Sequence, residues 1–242
     1  MPNHQQLDNV LHKDLRVLSR PSLAFGENAS YGHVYVSEFR YIQAEYPILF
    51  RKNSETAQFE AIALFGLAAE ENLFLQENGW NATYVPLTVQ RRPFLIGFQQ
   101  DNQAEPKPVV HIDMDSPRIS QSATEGEAVF LPQGGQSPYL QHINAVLSRI
   151  HQGHSENKVF IDTLLQYELI ESVAIKMELN DGTKLEFNNL YTINEDKLNA
   201  LPSDSLFALH QKGYVNLIYM MIASMATLSR LIDMKNRRVL GA

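Results

Sequence analysis

The chain has 242 residues, with 27 acidic against 20 basic side chains and no cysteine. The formal net charge of −7 repels phosphate backbones, so the composition disfavours nucleic-acid binding. Without cysteine, the chain has no disulfides, no thiolate zinc ligands and no cysteine nucleophile. An apolar share of 44% at this length is enough for a sizeable core without such cross-links.

Two stretches bear on the compartment. Residues 1–6 lack the charged start and the apolar core of a secretory signal, so we predict a cytoplasmic protein. The most apolar segment, 215–228, is interrupted by Asn216 and Ser224. It is shorter than the roughly 20 apolar residues that a bilayer span needs, so we predict a buried helix and no membrane insertion.

Three regions follow one another along the chain. A polar N-terminal segment covers 1–20, a β-rich region covers 21–135, and a helix-rich region covers 136–242. The predicted fold class is α+β, with a mixed, largely antiparallel sheet and packed helices in the N-terminal part. The C-terminal part is predicted to be helix-rich and to contain a β-hairpin, and we expect all regions to form one compact unit.

In the β-rich region, a strand at 33–36 leads into a helix that Ser37 is predicted to cap. Phe39, Ile42 and Tyr46 share one face of this helix, and Pro47 ends it because the residue before proline avoids helical geometry.

The remaining elements of this region are short. Residues 48–50 are extended, 53–56 form a turn, and 58–66 form a mostly buried strand. A short helix is predicted over 70–77. Further strands are predicted at 82–85, 93–98 and 109–112.

In the helix-rich region, Ser137-Pro138 begins a helix whose apolar stripe is Tyr139, Leu140, Ile143, Val146, Leu147 and Ile150. A second helix is predicted over 156–167. Apolar and polar residues then alternate on both sides of Asp181-Gly182, which is typical of a tight turn, so 173–187 is predicted to be a β-hairpin.

Three helices are predicted at the end of the chain. Asn194 caps the first, and Ser203 caps the second, which ends at Gly213. The buried stripe of the last helix is predicted to be Leu217, Met221, Met225, Leu228 and Ile232.

A series of short motifs lies between 33 and 94, namely Glu38-Phe39, Glu45 to Phe50, Ala63 to Leu67, Glu71 to Phe74, Gly79-Trp80, Tyr84 to Pro86 and Arg91 to Phe94. In their order and spacing these motifs resemble the SapC family of Gram-negative bacteria. Later pieces around Asp113, Gly126-Glu127, Ile193 and the last helix fit as well, so the resemblance covers nearly the whole chain.

The resemblance supplies a family and no mechanism. It implies links to surface-layer biology and to gene neighbourhoods of halogenases, cupin-like proteins and outer-membrane nutrient receptors, but it carries over no catalytic residues. The same-named permease of peptide transporters crosses the membrane several times, which the hydropathy of this chain excludes.

The arginine pair Arg91 and Arg92 stands out in an acidic chain. Guanidinium groups bind carboxylates and phosphates through two hydrogen bonds, so the pair is a candidate anion clamp. Pairing with Glu38, Glu45 or Glu71 inside the fold is the structural alternative.

Five other residues are candidates for ligand binding. Asn72, Trp80 and Tyr84 offer hydrogen-bonding groups on or near large apolar bodies, although a core position explains such residues as well. His33 and Glu38 flank a predicted strand-to-helix junction, where a histidine held by a carboxylate can act as a general base.

His111 and Asp113 have the spacing of two ligands in a two-histidine, one-carboxylate iron site. A third ligand would come from His142, His151 or His154, which fall on or beside a predicted helix and not on a returning strand. A polar turn after a strand explains the same residues without a metal.

The leading functional hypothesis is a non-catalytic accessory protein that needs no cofactor and binds a small acidic ligand or a protein partner, and that could form a homodimer. No hydrolase, kinase or dehydrogenase motif is present, although the sequence leaves enzymatic activity open. One alternative is a non-haem iron oxygenase that uses His111 and Asp113. Another is a self-assembling protein of the surface-layer type.

Overall fold

The computed structural model describes residues 3–77, 79–99 and 107–240. Its strands are β1 (His4–Gln6), β2 (Arg16–Val17), β3 (Tyr31–His33), β4 (Ile48–Lys52), β5 (Phe59–Leu64), β6 (Leu75–Gln76), β7 (Gly79–Trp80), β8 (Phe94–Gln99), β9 (Lys107–Asp113), β10 (Glu127–Ala128), β11 (Ile170–Glu178) and β12 (Lys184–Ile193). Its helices are α1 (Phe39–Ile42), α2 (Leu87–Gln90), α3 (Pro138–Gln166), α4 (Glu195–Asn199), α5 (Ser203–Gln211), α6 (Tyr214–Ser224) and α7 (Leu228–Val239).

The chain divides into two compact units that interleave along the sequence. The first unit comprises Met1–Glu27, Leu75–Asn81 and Leu87–Gln152. The second unit comprises Asn28–Phe74, Ala82–Pro86 and Gly153–Ala242. Each unit therefore takes segments from both the predicted β-rich region and the predicted helix-rich region.

The first unit is built around an antiparallel sheet with the strand order β1-β9-β8. The predicted polar N-terminal segment supplies the edge strand β1, which pairs residues 4–6 with 113–111 of β9. The core beside this sheet combines strand residues with the first half of α3, and consists of Val17, Phe94, Ile112, Val129, Phe130, Leu140, Ile143 and Leu147.

A buried ion pair lies in the same unit. The Arg118 side chain is fully buried and donates to both carboxylate oxygens of Glu27, at 2.7 and 2.6 Å. Its third bond goes to the main-chain carbonyl of Ser19 at 3.1 Å, so the charge is compensated inside the fold.

The second unit is built around a five-stranded antiparallel sheet with the order β11-β12-β4-β5-β3. Strand β4 is the central strand, and the apolar residues of β4 from Ile48 to Phe50 and of β5 from Ala61 to Leu64 are buried. Helix α6 contacts β4 and β12 of this sheet, and α1 contacts α6. Ser224 at the end of α6 accepts the main-chain N–H of Ile48 at 2.9 Å.

The structure confirms the α+β class and most of the predicted elements. The stripe Phe39, Ile42 and Tyr46 is fully buried. The hairpin forms as β11 and β12 around Gly182, which has a φ angle of 84°. The Asn194 side chain caps α4 by accepting the N–H of Lys197, and Gly213 after α5 adopts a left-handed conformation with φ 74°.

Two predicted elements in 70–85 are wrong. The helix over 70–77 is absent because Asn72 accepts the N–H of Phe74 and Glu70 has a φ angle of 56°, which holds the segment in turns. The strand over 82–85 is absent because the N–H groups of Thr83 and Tyr84 donate to the Glu45 carboxylate and not to a neighbouring strand.

Two predicted boundaries also differ from the structure. The two helices predicted over 138–167 form one helix, α3, which continues through Gly153 without a break. The first predicted strand lies earlier, at Tyr31–His33, and the cap before α1 is not Ser37. The Glu38 carboxylate accepts the N–H of Tyr35 instead, across a 3-10 turn at Val36–Glu38.

The C-terminal helical segment is less buried than predicted. It consists of α6, a 3-10 turn and α7, and of the predicted stripe only Met221 is buried, together with Ile218, Ser224 and Leu231. By length and composition the segment Tyr214–Val239 could cross a membrane, with a mean hydropathy of 1.5 and 22% of its most apolar window buried. A single helix of this kind is weak support for a membrane span, because a core helix of a soluble protein can have the same length and composition.

Candidate functional site

A groove in the second unit runs between the start of β5 and the second half of α3, and we call it the His154 groove. Its cavity volume of about 490 Å³ lies in the range of small-molecule sites, which is roughly 300–1,000 Å³. Its apolar wall includes Phe59, Ala61, Ile161 and Leu165. Its charged and polar lining consists of His33, Tyr35, Lys52, Gln58, Glu60, His154, Asn157, Lys158 and Asp162.

Tyr35 and His154 form the centre of the groove. The Tyr35 hydroxyl and His154 Nε2 lie 3.1 Å apart, and the two rings meet edge to face with centroids 5.1 Å apart. Tyr35 is only 3% exposed because its ring lies against the backbone of α3 at Gly153, where an added Cβ would come within 2.6 Å of the ring. The glycine therefore allows the tyrosine to hold the histidine in place.

Asn157 ties the chain after β3 to α3. Its side-chain Oδ1 accepts the N–H of Val36 at 2.9 Å, and its Nδ2 donates to the carbonyl of Val34 at 2.7 Å. These are the two bonds that a neighbouring strand would otherwise make with this stretch. Asn157 therefore sets the distance between the helix and the end of the strand, and so the width of the groove.

His33 and Glu60 face each other across β3 and β5. His33 Nδ1 lies 3.8 Å from Glu60 Oε2, and Glu60 Oε1 accepts the side-chain amide of Asn53 at 3.0 Å. The His33 side chain is 47% exposed.

Two lysines add positive charge at opposite walls. The ammonium group of Lys52 lies 5.0 Å from the ring centroid of Phe59, which suits a cation–π contact. Lys158 on α3 is paired with Asp162 at 2.6 Å, one helical turn further along. With Glu60 and Asp162 as the carboxylates of the lining, the two lysines bring the formal charge to zero when the histidines are counted as neutral.

These groups can bind an anion beside an apolar body. Lysine and imidazolium nitrogens donate to carboxylates, and the wall formed by Phe59, Ile161 and Leu165 can cover hydrocarbon. The tyrosine–histidine pair could also move a proton, but no nucleophile or oxyanion-stabilising pair of N–H groups accompanies it among the groove residues described.

Two of the predicted site residues, Glu38 and Tyr84, meet in the second unit. Glu38 is fully buried, and the Tyr84 hydroxyl donates to its Oε2 at 3.0 Å while the N–H of Tyr35 donates to its Oε1 at 3.0 Å. Glu38 therefore contacts Tyr35, which lines the groove. His33, the other half of the predicted pair, has Glu60 as its ion-pair partner.

Asn72 lies in the second unit but outside the groove lining. It is 3% exposed, and its Oδ1 accepts the N–H of Phe74 at 3.1 Å within its own turn. The neighbouring Glu71 accepts the N–H of Leu67 and pairs with Lys235 at 2.6 Å. Both side chains thus hold the loop that follows β5.

The remaining predicted binding residues lie in the first unit. Arg91 donates to the main-chain carbonyl of Phe94 at 2.7 Å, and Arg92 lies 3.6 Å from the Glu27 carboxylate that Arg118 also binds. Trp80 is in β7, opposite Leu75 of β6. The partner that the structure gives Arg92 is therefore Glu27, which was not among the three glutamates considered from the sequence.

His111 and Asp113 lie in and at the end of β9. The His111 ring covers Gly97 of β8, where an added Cβ would come within 2.4 Å of it. Asp113 Oδ1 accepts the N–H of Asp115 at 3.1 Å, in the turn that follows the strand. Within 3–77, 79–99 and 107–240, no group of three or more His, Asp or Glu side chains is arranged to hold a metal ion.

Sequence reasoning included His33 and missed most other groove residues. Tyr35, Lys52, Asn157 and Lys158 carry no motif, and His154 was considered only as a metal ligand. No local pattern could have grouped them, because the groove joins residues more than 90 positions apart through the packing of α3 on the sheet.

Comparison with known proteins gives one result. The family model of SapC matches residues 7–231. No curated protein and no solved structure shows significant similarity to the chain.

Proposed function

Because the chain belongs to the SapC family, we propose that it is a soluble, cytoplasmic accessory protein that binds a small acidic ligand in the His154 groove. The observation that carries the proposal is the lining, in which Lys52, Lys158, His33 and His154 surround an apolar wall. The carboxylates of the lining already have partners, since Glu60 lies beside His33 and Asp162 is paired with Lys158. A ligand carboxylate would supply oxygen acceptors for the lysine and histidine N–H groups of the lining.

A soluble protein is supported by the ion pairs of α7. Lys235 pairs with Glu71 at 2.6 Å with side chains 17% and 11% exposed, and Arg230 lies 3.4 Å from Glu45. Insertion of this helix into lipid would break both pairs and transfer charged side chains into hydrocarbon. We therefore expect the protein to stay in the supernatant when membranes from lysed cells are sedimented, and recovery only with detergent would contradict this part of the proposal.

Ligand binding can be tested with hexanoate and benzoate, which combine a carboxylate with an apolar body. We expect both to raise the melting temperature and to give saturable heats in isothermal titration calorimetry, because a ligand that binds only the native state stabilises it. Hexanol, which lacks the carboxylate, is the matched ligand control and should have little effect.

Substitutions locate the site. Lys52→Met and His154→Ala should each weaken hexanoate binding, whereas Lys184→Met, at an 81% exposed lysine of the hairpin, should leave it unchanged. Absence of stabilisation by any carboxylate, or equal effects of Lys52→Met and Lys184→Met, would overturn the proposal. We propose no metal or cofactor for this site.

A further inference from the structure

We infer that the ligand of the His154 groove is the carboxyl-terminal end of an extended peptide, which pairs as a short strand with the open edge of β5. This inference rests on the proposed acidic ligand and adds the chemistry of its body, namely main-chain amides next to the carboxylate. It follows from the strand register around Phe59.

The partner strand of β5 on this side ends early. Strand β3 pairs with β5 only from Tyr31 opposite Leu64 to His33 opposite Ile62. One further bond follows, from the N–H of Val34 to the carbonyl of Ala61 at 3.0 Å. The chain then leaves the sheet in the 3-10 turn at Val36–Glu38, and the N–H of Val36 donates to Asn157.

The strand register shows which main-chain groups of β5 have no strand beside them where β3 ends. The carbonyl of Gln58 accepts the N–H of Asn53 at 2.9 Å, so residues 58 and 60 direct their main-chain groups toward β4. Alternate residues of an antiparallel strand point their N–H and C=O to opposite sides. Phe59 therefore points both groups toward the side of β3, where no strand lies beside it in the part of the chain that the structure describes.

The groove is the space next to the main-chain N–H and C=O of Phe59, which we call the open rung. Gln58, Phe59, Glu60 and Ala61 form one wall and the second half of α3 forms the other. A strand edge next to a helix accepts an extended peptide by strand addition, in which main-chain hydrogen bonds give affinity and pockets read the side chains. One residue of such a peptide can exchange two hydrogen bonds with Phe59.

The charges of the groove favour the carboxyl terminus over an internal segment. A peptide that stops in the groove carries a carboxylate, and His33, His154, Lys52 and Lys158 lie around the open rung. An internal segment would have to continue past the two hydrogen bonds by which Asn157 joins α3 to residues 34–36. The end of a chain fits this space without such a continuation.

The experiment uses the full chain and the peptide N-acetyl-Val-Thr-Val with a free carboxylate. In a series of analogues, each amide of the peptide is replaced in turn by an ester. A further analogue carries an amide in place of the carboxyl-terminal carboxylate. We expect at least one ester to bind about fivefold more weakly in calorimetry, the loss for one hydrogen bond, because the ester lacks the N–H donor. The terminal amide should also bind more weakly.

Hydrogen exchange provides an internal control. Saturating peptide should slow the exchange of the Phe59 N–H severalfold, while the N–H of Glu60, which faces β4, should not change. Phe59→Pro and Phe59→Ala both remove the ring, but only proline also removes the donor on the groove side of β5, which has no strand neighbour among the described residues. We therefore expect the proline variant to bind the peptide more weakly than the alanine variant. If the proline variant does not fold, the ester series and the exchange data decide.

The outcomes separate this inference from the proposed function. If hexanoate binds, but every ester binds like the parent peptide and the Phe59 N–H exchanges unchanged, strand addition is wrong and the acidic-ligand site remains. If neither hexanoate nor the peptide binds, both proposals fail.

Discussion

The Tyr84 hydroxyl donates to the buried carboxylate of Glu38 at 3.0 Å, and the main-chain N–H of Tyr35 donates to the other oxygen of that carboxylate. The contact links the 82–86 segment to the turn that precedes α1, within the second unit. Because the Tyr35 hydroxyl also contacts His154, the Glu38 carboxylate helps to fix the position of a residue that lines the groove.

Tyr84→Phe should lower the free energy of unfolding by about 1.5–3 kcal/mol, the range for hydrogen bonds to charged groups. The substitution removes one of the donors to the fully buried Glu38 and leaves the ring in place. Urea denaturation monitored by circular dichroism measures the change. Tyr219→Phe, at a 53% exposed tyrosine, is the control, and an equal loss in both variants would contradict the prediction.

Tyr139→Phe should have the opposite result and leave the stability unchanged or raised. The hydroxyl of Tyr139 is buried in the first unit and has no hydrogen-bond partner among the described residues, and burial raises its pKa. Removing a polar group that lost its water without gaining a partner relieves a desolvation cost of about 1–3 kcal/mol. A lower unfolding free energy for this variant would show that the hydroxyl has a partner in solution.

Arg118→Met should cost about 3–5 kcal/mol, because it leaves the Glu27 carboxylate, which is 11% exposed, without its main partner. Thermal and urea unfolding measure the loss. Adding Glu27→Leu to this variant should recover part of the stability, since no isolated charge then remains. Arg237→Met, at an exposed residue of α7, should have little effect.

Gly153→Ala should destabilise the protein by roughly 1–3 kcal/mol, the usual cost of overpacking. Alanine favours a helix over glycine by about 1 kcal/mol, but its Cβ would lie 2.6 Å from the Tyr35 ring, so the clash decides the sign. Gly135→Ala, where the closest atom would be 3.7 Å away, is the control. A stabilised Gly153→Ala variant would mean that Tyr35 moves freely.

Lys197→Met should raise the pKa of Glu168 toward its ordinary value of 4.5. The hydrogen bond from Lys197 and its charge hold this pKa below that value. Since the folded-state pKa is depressed, the stabilisation by this pair is present above pH 4.5 and is lost as the pH falls through the lower folded-state value. The chemical shift of the Glu168 carboxyl in a pH titration reports the change. Lys184→Met should leave the Glu168 titration unchanged.

Local patterns determined much of the fold. The hairpin over 173–187 followed from Asp181-Gly182 between alternating residues, and the burial of Phe39, Ile42 and Tyr46, in and after α1, followed from their spacing. These signals act over a few residues and depend on backbone geometry and periodicity alone. The family motifs likewise identified SapC across most of the chain.

Tertiary contacts decided the elements for which local patterns were ambiguous. The apolar residues of 82–85 suggested a strand, but the Glu45 carboxylate takes the N–H groups of Thr83 and Tyr84. Two helices were predicted over 138–167, but α3 is continuous, and the Tyr35 ring packs against it at Gly153. In both cases the contact partner lies at least 38 positions away, beyond the reach of a local pattern.

The sequence by itself determined the α+β class, the family and the identity of His33, Glu38 and Tyr84 as residues of interest. Only the tertiary structure decided that Tyr84 supports Glu38, that His33 faces Glu60, and that α3 closes a groove beside β5. The physical reason is that a binding site needs side chains from distant segments to converge, and convergence depends on which surfaces become buried together. Periodicity shows which face of an element is buried, but it does not show what covers that face.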